Sequence, residues 1–227
     1  MPGTLYIVAT PIGNLEDITL RALKILKEVD IILAEDTRVT SKLANNYQLS
    51  ASIFSYHQHS SESKKAEILG LLVMGKNVAL VTDAGTPGVS DPGNELISYL
   101  LERDSNLQIV PVPGPSAITT ALSISGLPCN KFLFLGFLPK KGRTKLFSWI
   151  KEGKITFAFY ESPFRILKTL DLISSEFGEE VKVVVARELT KVFESIYRGK
   201  PNEVKEKLLA GKVKGEMVVI CEASPSK

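Results

Sequence analysis

Three strand-length stretches, "TLYIVAT" (4–10), "DIILAED" (30–36) and "NVALVTD" (77–83), run apolar without alternation. A strand with one wet face alternates apolar and polar residues. A continuous apolar strand is buried on both faces, the pattern of a parallel sheet with helices packed on either side. The intervening segments carry helical spacing. "DITLRALKILKEV" (17–29) puts Leu20, Leu23 and Leu26 on one face with Asp17 as its cap. Helices are predicted over 40–47, 62–75 and 93–103, and further strands over 52–57 and 107–113.

A helix over 114–128 links this half to a second, in which the pattern changes. Strands are predicted at 131–138, 155–162, 182–190, 194–200 and 216–223, and helices at 143–151, 163–177 and 201–210. Some of these strands are separated by short connections, which predicts a mixed sheet. The expected architecture is two α/β domains, 1–114 with a largely parallel sheet flanked by helices and 115–227 with a mixed sheet. The 227 residues are enough to give each half a core.

Composition excludes several classes. No apolar run approaches the roughly 20 residues that cross a bilayer. The N-terminus has no basic segment ahead of its apolar run, so a cytoplasmic protein without membrane attachment is expected. Cys129 and Cys221 are far apart and form no CxxC pair, so neither a disulfide framework nor a cysteine metal site is expected. The net charge of +3 permits an acidic or nucleic-acid partner without requiring one. "GLLVMGKN" (70–77) fits G-x4-G-K but ends in Asn77 where a magnesium-binding hydroxyl belongs, and it continues a helix instead of following a strand. No GxGxxG occurs. His57 and His59 form an H-x-H pair with only Glu62 nearby, which fits substrate contact at a strand end better than a metal site.

Three loops carry the chemistry. "TPIGN" (10–14), "DAGTPGVSDPG" (83–93) and "VPGPSA" (112–117) each leave a different strand of the first sheet. Glycine lets a ligand approach bare backbone, and proline stiffens a loop so that less entropy is lost on binding. In a parallel sheet all three lie at the carboxyl edge, where α/β proteins bind ligands. A shared small-molecule pocket follows.

These loops, with "GTLYIVATPIGNLEDIT", "AEDTR", "SGLP", "FLGFLP", "FYESPFR" and "RELTK", are similar to the ribosomal RNA small-subunit methyltransferase I family, a branch of the tetrapyrrole-methylase superfamily of S-adenosylmethionine-dependent enzymes. The likeness runs from residue 3 to about 219. It implies a cofactor cleft between the two domains and 2′-O-methylation of a cytidine in the decoding region of 16S rRNA, read within the 30S subunit, by a homodimer. It implies S-adenosylmethionine contacts from Pro11 and Ile12, from Asp83, Ala84, Gly85, Thr86, Val89 and Ser90, from Ser116 and Ala117, and from Tyr160 and Met217, with Gly215 and Glu216 beside the last. "GTP" (85–87) replaces the Gly-Asp-Pro of members that act on tetrapyrroles, which points to the rRNA branch. "YHQHSS" (56–61) stands where the family has YHEHNE, so roles of that Glu and Asn do not carry over. A tetrapyrrole or protein-side-chain methyltransferase, an RNA-binding factor with a relic pocket and a nucleotide-dependent enzyme are the competing readings.

Methyl transfer to a ribose hydroxyl needs alignment and a proton acceptor. The candidates are Asp36 and Glu35, with His57, Glu161 and Glu188 behind them; Asp36 and Arg38 are favoured, although Asp36 also suits a helix cap. Arg38, Arg165 and Arg187 suit phosphate or carboxylate partners. Lys140, Lys141, Arg143 and Lys145 in "PKKGRTK" form a basic segment expected to contact RNA.

Overall fold

β2 (Ile31–Ala34) and β4 (Val78–Val81) are buried at every position. They lie inside a five-stranded, all-parallel sheet of order β3-β2-β4-β1-β5, completed by β1 (Thr4–Val8), β3 (Ser52–Ser55) and β5 (Gln108–Val112). A computed structural model of the chain describes residues 1–223. It divides into two units, Met1–Ser116 and a second starting at Ala117.

The period of two sorts each inner strand between two cores. Ile31, Leu33, Val78 and Leu80 face α3 (Glu62–Val73) and α4 (Asn94–Arg103), which contribute Ile68, Leu72, Leu96 and Leu100. Ile32, Ala34, Ala79 and Val81 face α1 (Leu20–Glu28) and α2 (Thr37–Tyr47), which contribute Ala22, Leu26 and Leu43. Each fully buried large aliphatic side chain contributes about 1.5–3 kcal/mol. Burial on both faces does not extend to β3, a sheet edge where Ser52, Phe54 and Ser55 are exposed.

Helix boundaries move where a better cap exists. Asp17 does not cap α1; it ends a 3₁₀ turn (Leu15–Asp17), and Thr19 accepts the Ala22 amide instead. The later start rotates the buried stripe to Ala22 and Leu26 and leaves Leu20 87% exposed. α2 begins three residues earlier than its spacing suggests, because the Asp36 carboxylate caps it at the Arg38 amide. The G-x4-G-K match lies at the end of α3 and is no phosphate loop.

The second unit holds α5 (Ala117–Ser123), β6 (Phe132–Phe137), α6 (Arg143–Gly153), β7 (Thr156–Glu161), α7 (Ile166–Phe177), β8 (Val183–Arg187), β9 (Ser195–Gly199), α8 (Pro201–Leu209) and β10 (Met217–Cys221). The linking helix is shorter than its predicted span. The sheet is mixed, in the order β6-β7-β10-β8-β9: β6 and β7 are parallel, and the other neighbours are antiparallel. Phe157, Phe159, Val185 and Val219 form its core with Phe147 of α6 and Ile173 of α7.

Glu161, at the end of β7, is fully buried. It accepts hydrogen bonds from the Ser162 amide (2.8 Å) and Thr169 Oγ1 (2.7 Å), and pairs with Arg165 Nη2 at 2.6 Å. Arg143 donates through Nη1 to Thr169 Oγ1 (3.1 Å) and through Nε to the Pro139 carbonyl (2.6 Å). Removing the carboxylate leaves Arg165 at 2.6 Å and Arg143 at 3.8 Å, both largely buried, without their counter-charge. Glu161→Ala is therefore expected to lower unfolding free energy by about 3–5 kcal/mol, read by urea denaturation; an unchanged midpoint would show that the network contributes nothing.

Candidate functional site

The site is a consequence of strand order. α1 leaves β1 over one face of the sheet, and α4 leaves β4 over the other. β1 and β4 are neighbours, so their exits diverge and leave a crevice at the carboxyl edge. Within the first unit the three Gly/Pro loops meet there. The Thr10 amide donates to Gly85 O (2.9 Å) and the Gly85 amide to Thr10 O (3.0 Å), an antiparallel bridge between loops whose parent strands are parallel. Thr10 Oγ1 donates to Thr82 O (3.0 Å), and Thr86 Oγ1 to Pro115 O (3.4 Å), which ties in the third loop. Pro11 and Ile12 are buried under this rim, whereas Asp83, Ala84, Val89 and Ser90 are exposed on it. Ser116, half-buried, closes the unit.

Gly88 shows why this loop needs glycine. Its φ is +82°, and a Cβ there would stand 2.8 Å from Asn94 Oδ1. The Asn94 side chain donates to the Gly88 carbonyl at 2.7 Å, and the Gly88 amide to Pro92 O at 3.2 Å. The loop is thus locked onto the first turn of α4. Ser90 also has positive φ, +63°, immediately before Asp91. Such backbone costs about 1–3 kcal/mol and persists only where the surroundings enforce it.

Four carboxylates line the ends of β2 and β4, and their surroundings divide them. Asp36 is bound in a fork by Arg38, Nε to Oδ1 at 3.0 Å and Nη2 to Oδ2 at 2.6 Å, and accepts the Arg38 amide at 2.8 Å. Those bonds hold its pKa down to about 2. Asp83 accepts the Asp36 amide at 3.0 Å, yet partial desolvation at the loop base raises its pKa. Desolvation likewise raises Glu35, helped by the Asp83 and Asp36 charges and opposed by the Asp83 amide and by His57. Asp91 is pushed up to about 6, by desolvation first and then by the charges of Glu35 and Asp83.

These arrangements separate the expected proton acceptors by their surroundings. A carboxylate near 2 that is already capped and paired is a weak base, so Asp36 is a helix cap and an anchor for Arg38, whose side chain is 86% exposed. Glu161 is enclosed by its donors. Glu188 is half-buried, but the Glu216 amide (2.9 Å) and Lys191 Nζ (3.1 Å) outweigh the desolvation and lower its pKa. Asp91 lies inside the second loop motif without any local mark of a base, and it is the group poised near neutrality; only the crowding of three loop ends could have marked it.

In the second unit Tyr160 packs against Phe134 and Phe137 with ring centroids 5.2 and 5.3 Å apart, and Met217 is buried at the start of β10. A Cβ on Gly215 would collide with the Glu188 side chain, so Gly215 and Glu216 sit tightly against Glu188, itself at positive φ. Ala117 opens α5. Lys140, Lys141 and Lys145 are exposed. Arg143 is not part of that free basic surface: it is held inward on Thr169 and Pro139. Arg165 and Arg187 are likewise tied to carbonyls, Leu138 O for the first and Lys214 O and Phe193 O for the second. No cluster of metal-ligating side chains exists among the described residues, and no described helix is long and apolar enough to cross a membrane.

A dense rim of backbone donors and acceptors with carboxylates beside it suits a sulfonium nucleoside, which presents a ribose diol and cationic groups. Carboxyl-carbon NMR titration is expected to give midpoints of about 6 for Asp91 and about 2 for Asp36; both near 4 would show that the enclosure and the Arg38 fork are ineffective.

Comparison with known proteins agrees. Residues 4–205 match the family described as Tetrapyrrole (Corrin/Porphyrin) Methylases. A "Ribosomal RNA small subunit methyltransferase I" of Halalkalibacterium halodurans is 44% identical over 99% of this chain and 78% of its own length. Its Thermotoga maritima counterpart is 46% identical over 96% and 97%. The crystal structure of the methyltransferase CobJ superposes with a TM-score of 0.73 at 18% identity, covering 96% of this chain and 93% of that one, a likeness of fold. The chain belongs to the ribosomal RNA small subunit methyltransferase I family within the tetrapyrrole methylases, S-adenosylmethionine-dependent enzymes.

Proposed function

We propose that this methyltransferase transfers a methyl group to the ribose 2′-hydroxyl of a cytidine in the decoding region of 16S rRNA, acting in the cytoplasm as a homodimer on the 30S subunit. The observation that carries the reading is the hydrogen-bonded rim of three loops in a chain over 40% identical, along nearly its whole length, to proteins named for rRNA methylation. The nucleotide and the 2′-hydroxyl come from the motif resemblance. Exposed Trp149 (60%), Phe164 (94%) and Phe193 (73%) give the second unit apolar surface of the kind a second copy would cover.

In this reading Pro11, Ile12 and the backbone of Asp83–Thr86 cradle the methyl donor with Val89, Ser90 and Ser116. Ala117, Tyr160 and Met217 are assigned to it by resemblance. The donor supplies an electrophilic methyl on a sulfonium whose charge vanishes as the bond breaks, so the leaving group needs no acid. The protein's task is to align the hydroxyl and take its proton. We assign the proton to the carboxylate of Asp91, with its burial, and then the charges of Glu35 and Asp83, keeping that carboxyl basic. Arg38, anchored on Asp36, faces a phosphate. Asp91 becomes competent as pH rises through about 6. Turnover should climb over that range and level off above it. Asp91→Asn should cut kcat by about 10²-fold or more with S-adenosylmethionine affinity retained. A larger loss in Asp36→Asn than in Asp91→Asn would reverse the assignment.

The deciding experiment maps 2′-O-methylation on 16S rRNA from cells with and without the gene, alongside methylation of 30S subunits and of uroporphyrinogen in vitro. One cytidine methyl that disappears with the gene supports the reading. Label on uroporphyrinogen and none on 30S would contradict it. Replacing Lys140, Lys141 and Lys145 by Ala should flatten the dependence of 30S affinity on salt, by about one unit of log–log slope for each phosphate left without its lysine; an unaltered slope would show these lysines to be solvent-facing only.

A further inference from the structure

Beyond β2, at the edge of the sheet, β3 ends in the segment whose two histidines the methylation reading leaves unused. An open hollow of about 560 Å³ lies there, lined by Phe54, His57, His59, Ser60, Ser61 and Lys64 among others. No carboxylate lines it. Its walls are built. The His57 amide donates to Ser60 Oγ (2.9 Å), the Ser60 amide to His57 O (2.9 Å), and the His59 amide to His57 Nδ1 (3.2 Å). The last bond uses His57 Nδ1 as its acceptor and leaves Nε2 of this exposed residue as the ring's donor. Phe54, 36% exposed, offers a ring on an edge strand, and Lys64 Nζ stands 5.2 Å over its centroid.

The position matters as much as the composition. In the sheet order β3-β2-β4-β1-β5 the exits run from the histidine segment, through Glu35, Asp36 and Arg38, to the Asp83–Asp91 loop. Adjacent strands stand about 4.8 Å apart, so the hollow lies roughly 10 Å from the β4 exit along the same rim. His57 is close enough to Glu35 to act on its ionisation. The carboxylates of β2 and β4 repel phosphates, and the hollow, whose lining holds no carboxylate, offers the neighbours of a ribose delivered to them a seat along the same rim.

We propose that this hollow is a nucleotide subsite: it holds the base of a nucleotide flanking the target against Phe54 and its phosphate on His57, His59 and the Ser60–Ser61 hydroxyls. The inference rests on the rRNA reading above. Base stacking on an aromatic platform carries most of its energy, with hydrogen bonds from imidazole and hydroxyl groups, because Lys64 is already shared with both Glu67 oxygens at 3.0 Å. Its contribution should therefore depend little on salt, unlike that of Lys140, Lys141 and Lys145.

Two measurements test it. In 30S methylation, Phe54→Ala should raise KM for the subunit about tenfold, with kcat, S-adenosylmethionine affinity and the salt slope unchanged, and the double variant His57→Ala/His59→Ala should raise KM by a similar factor. Separately, titrating cytidine 5′-monophosphate into the intact protein should move the imidazole NMR signals of His57 and His59, and Phe54→Ala should abolish the movement. An unchanged KM in both variants, or imidazole signals that stay fixed at millimolar mononucleotide, would overturn the proposal. If the parent protein fails to methylate 30S at all, the rRNA reading falls, and the mononucleotide titration judges the hollow by itself.

Discussion

Two amide hydrogen bonds between Thr10 and Gly85 hold the candidate site together. β1 and β4 are parallel neighbours whose helices depart over opposite faces, so without a tie their exits would splay. The bridge reverses the local chain direction and joins them. Thr10 Oγ1 on Thr82 O reinforces the joint, and Thr86 on Pro115 extends it to the exit of β5. A neutral hydrogen bond contributes only about 0.5–1.5 kcal/mol net, but these are largely shielded from water, and losing one partner would strand the other at about 1–3 kcal/mol. The crevice is stable because the sheet beneath it has already closed two cores.

Beside the rim, competition between desolvation and hydrogen bonding assigns the carboxylates. Asp36 is bonded by both the amide and the guanidinium of one arginine and stays a strong acid; Asp91 is half-buried next to like charges and becomes a weak one. The same contrast operates in the second unit, where Glu161 is fully enclosed by donors and organises the loop ahead of α6. Arg143 follows from it: a guanidinium drawn into that network stiffens the basic segment, and the lysines around it are the charges left for a partner.

The parallel sheet, the mixed sheet and the three loops were legible in the residues because each rests on a local pattern: continuous apolar strands, short connections, and Gly/Pro runs at strand ends. Edge strands were less so. β3 carries two serines in "SIFS" where β2 and β4 carry no polar residue, yet only the strand order shows that it is an edge strand with Phe54 exposed. Caps were half legible. Thr19 displaced Asp17 at α1, whereas Asp36, read as a candidate base that also suits a cap, does cap α2 and lengthens it. Asp91 was hidden for a physical reason. Its ionisation is set first by burial and then by the charges of Glu35 and Asp83, 56 and eight residues away along the chain, and no pattern around Asp91 records either.

The claim on which the rest depends is that backbone groups of the tied loops hold the methyl donor. It is tested most directly by following backbone amide NMR signals during titration with S-adenosylmethionine. The amides of residues 12–14, 84–86, 88–90 and 116 should shift together, with the Thr10 and Gly85 amides staying protected from hydrogen exchange throughout. Binding that leaves these amides unmoved, or that opens the Thr10–Gly85 bridge, would contradict it.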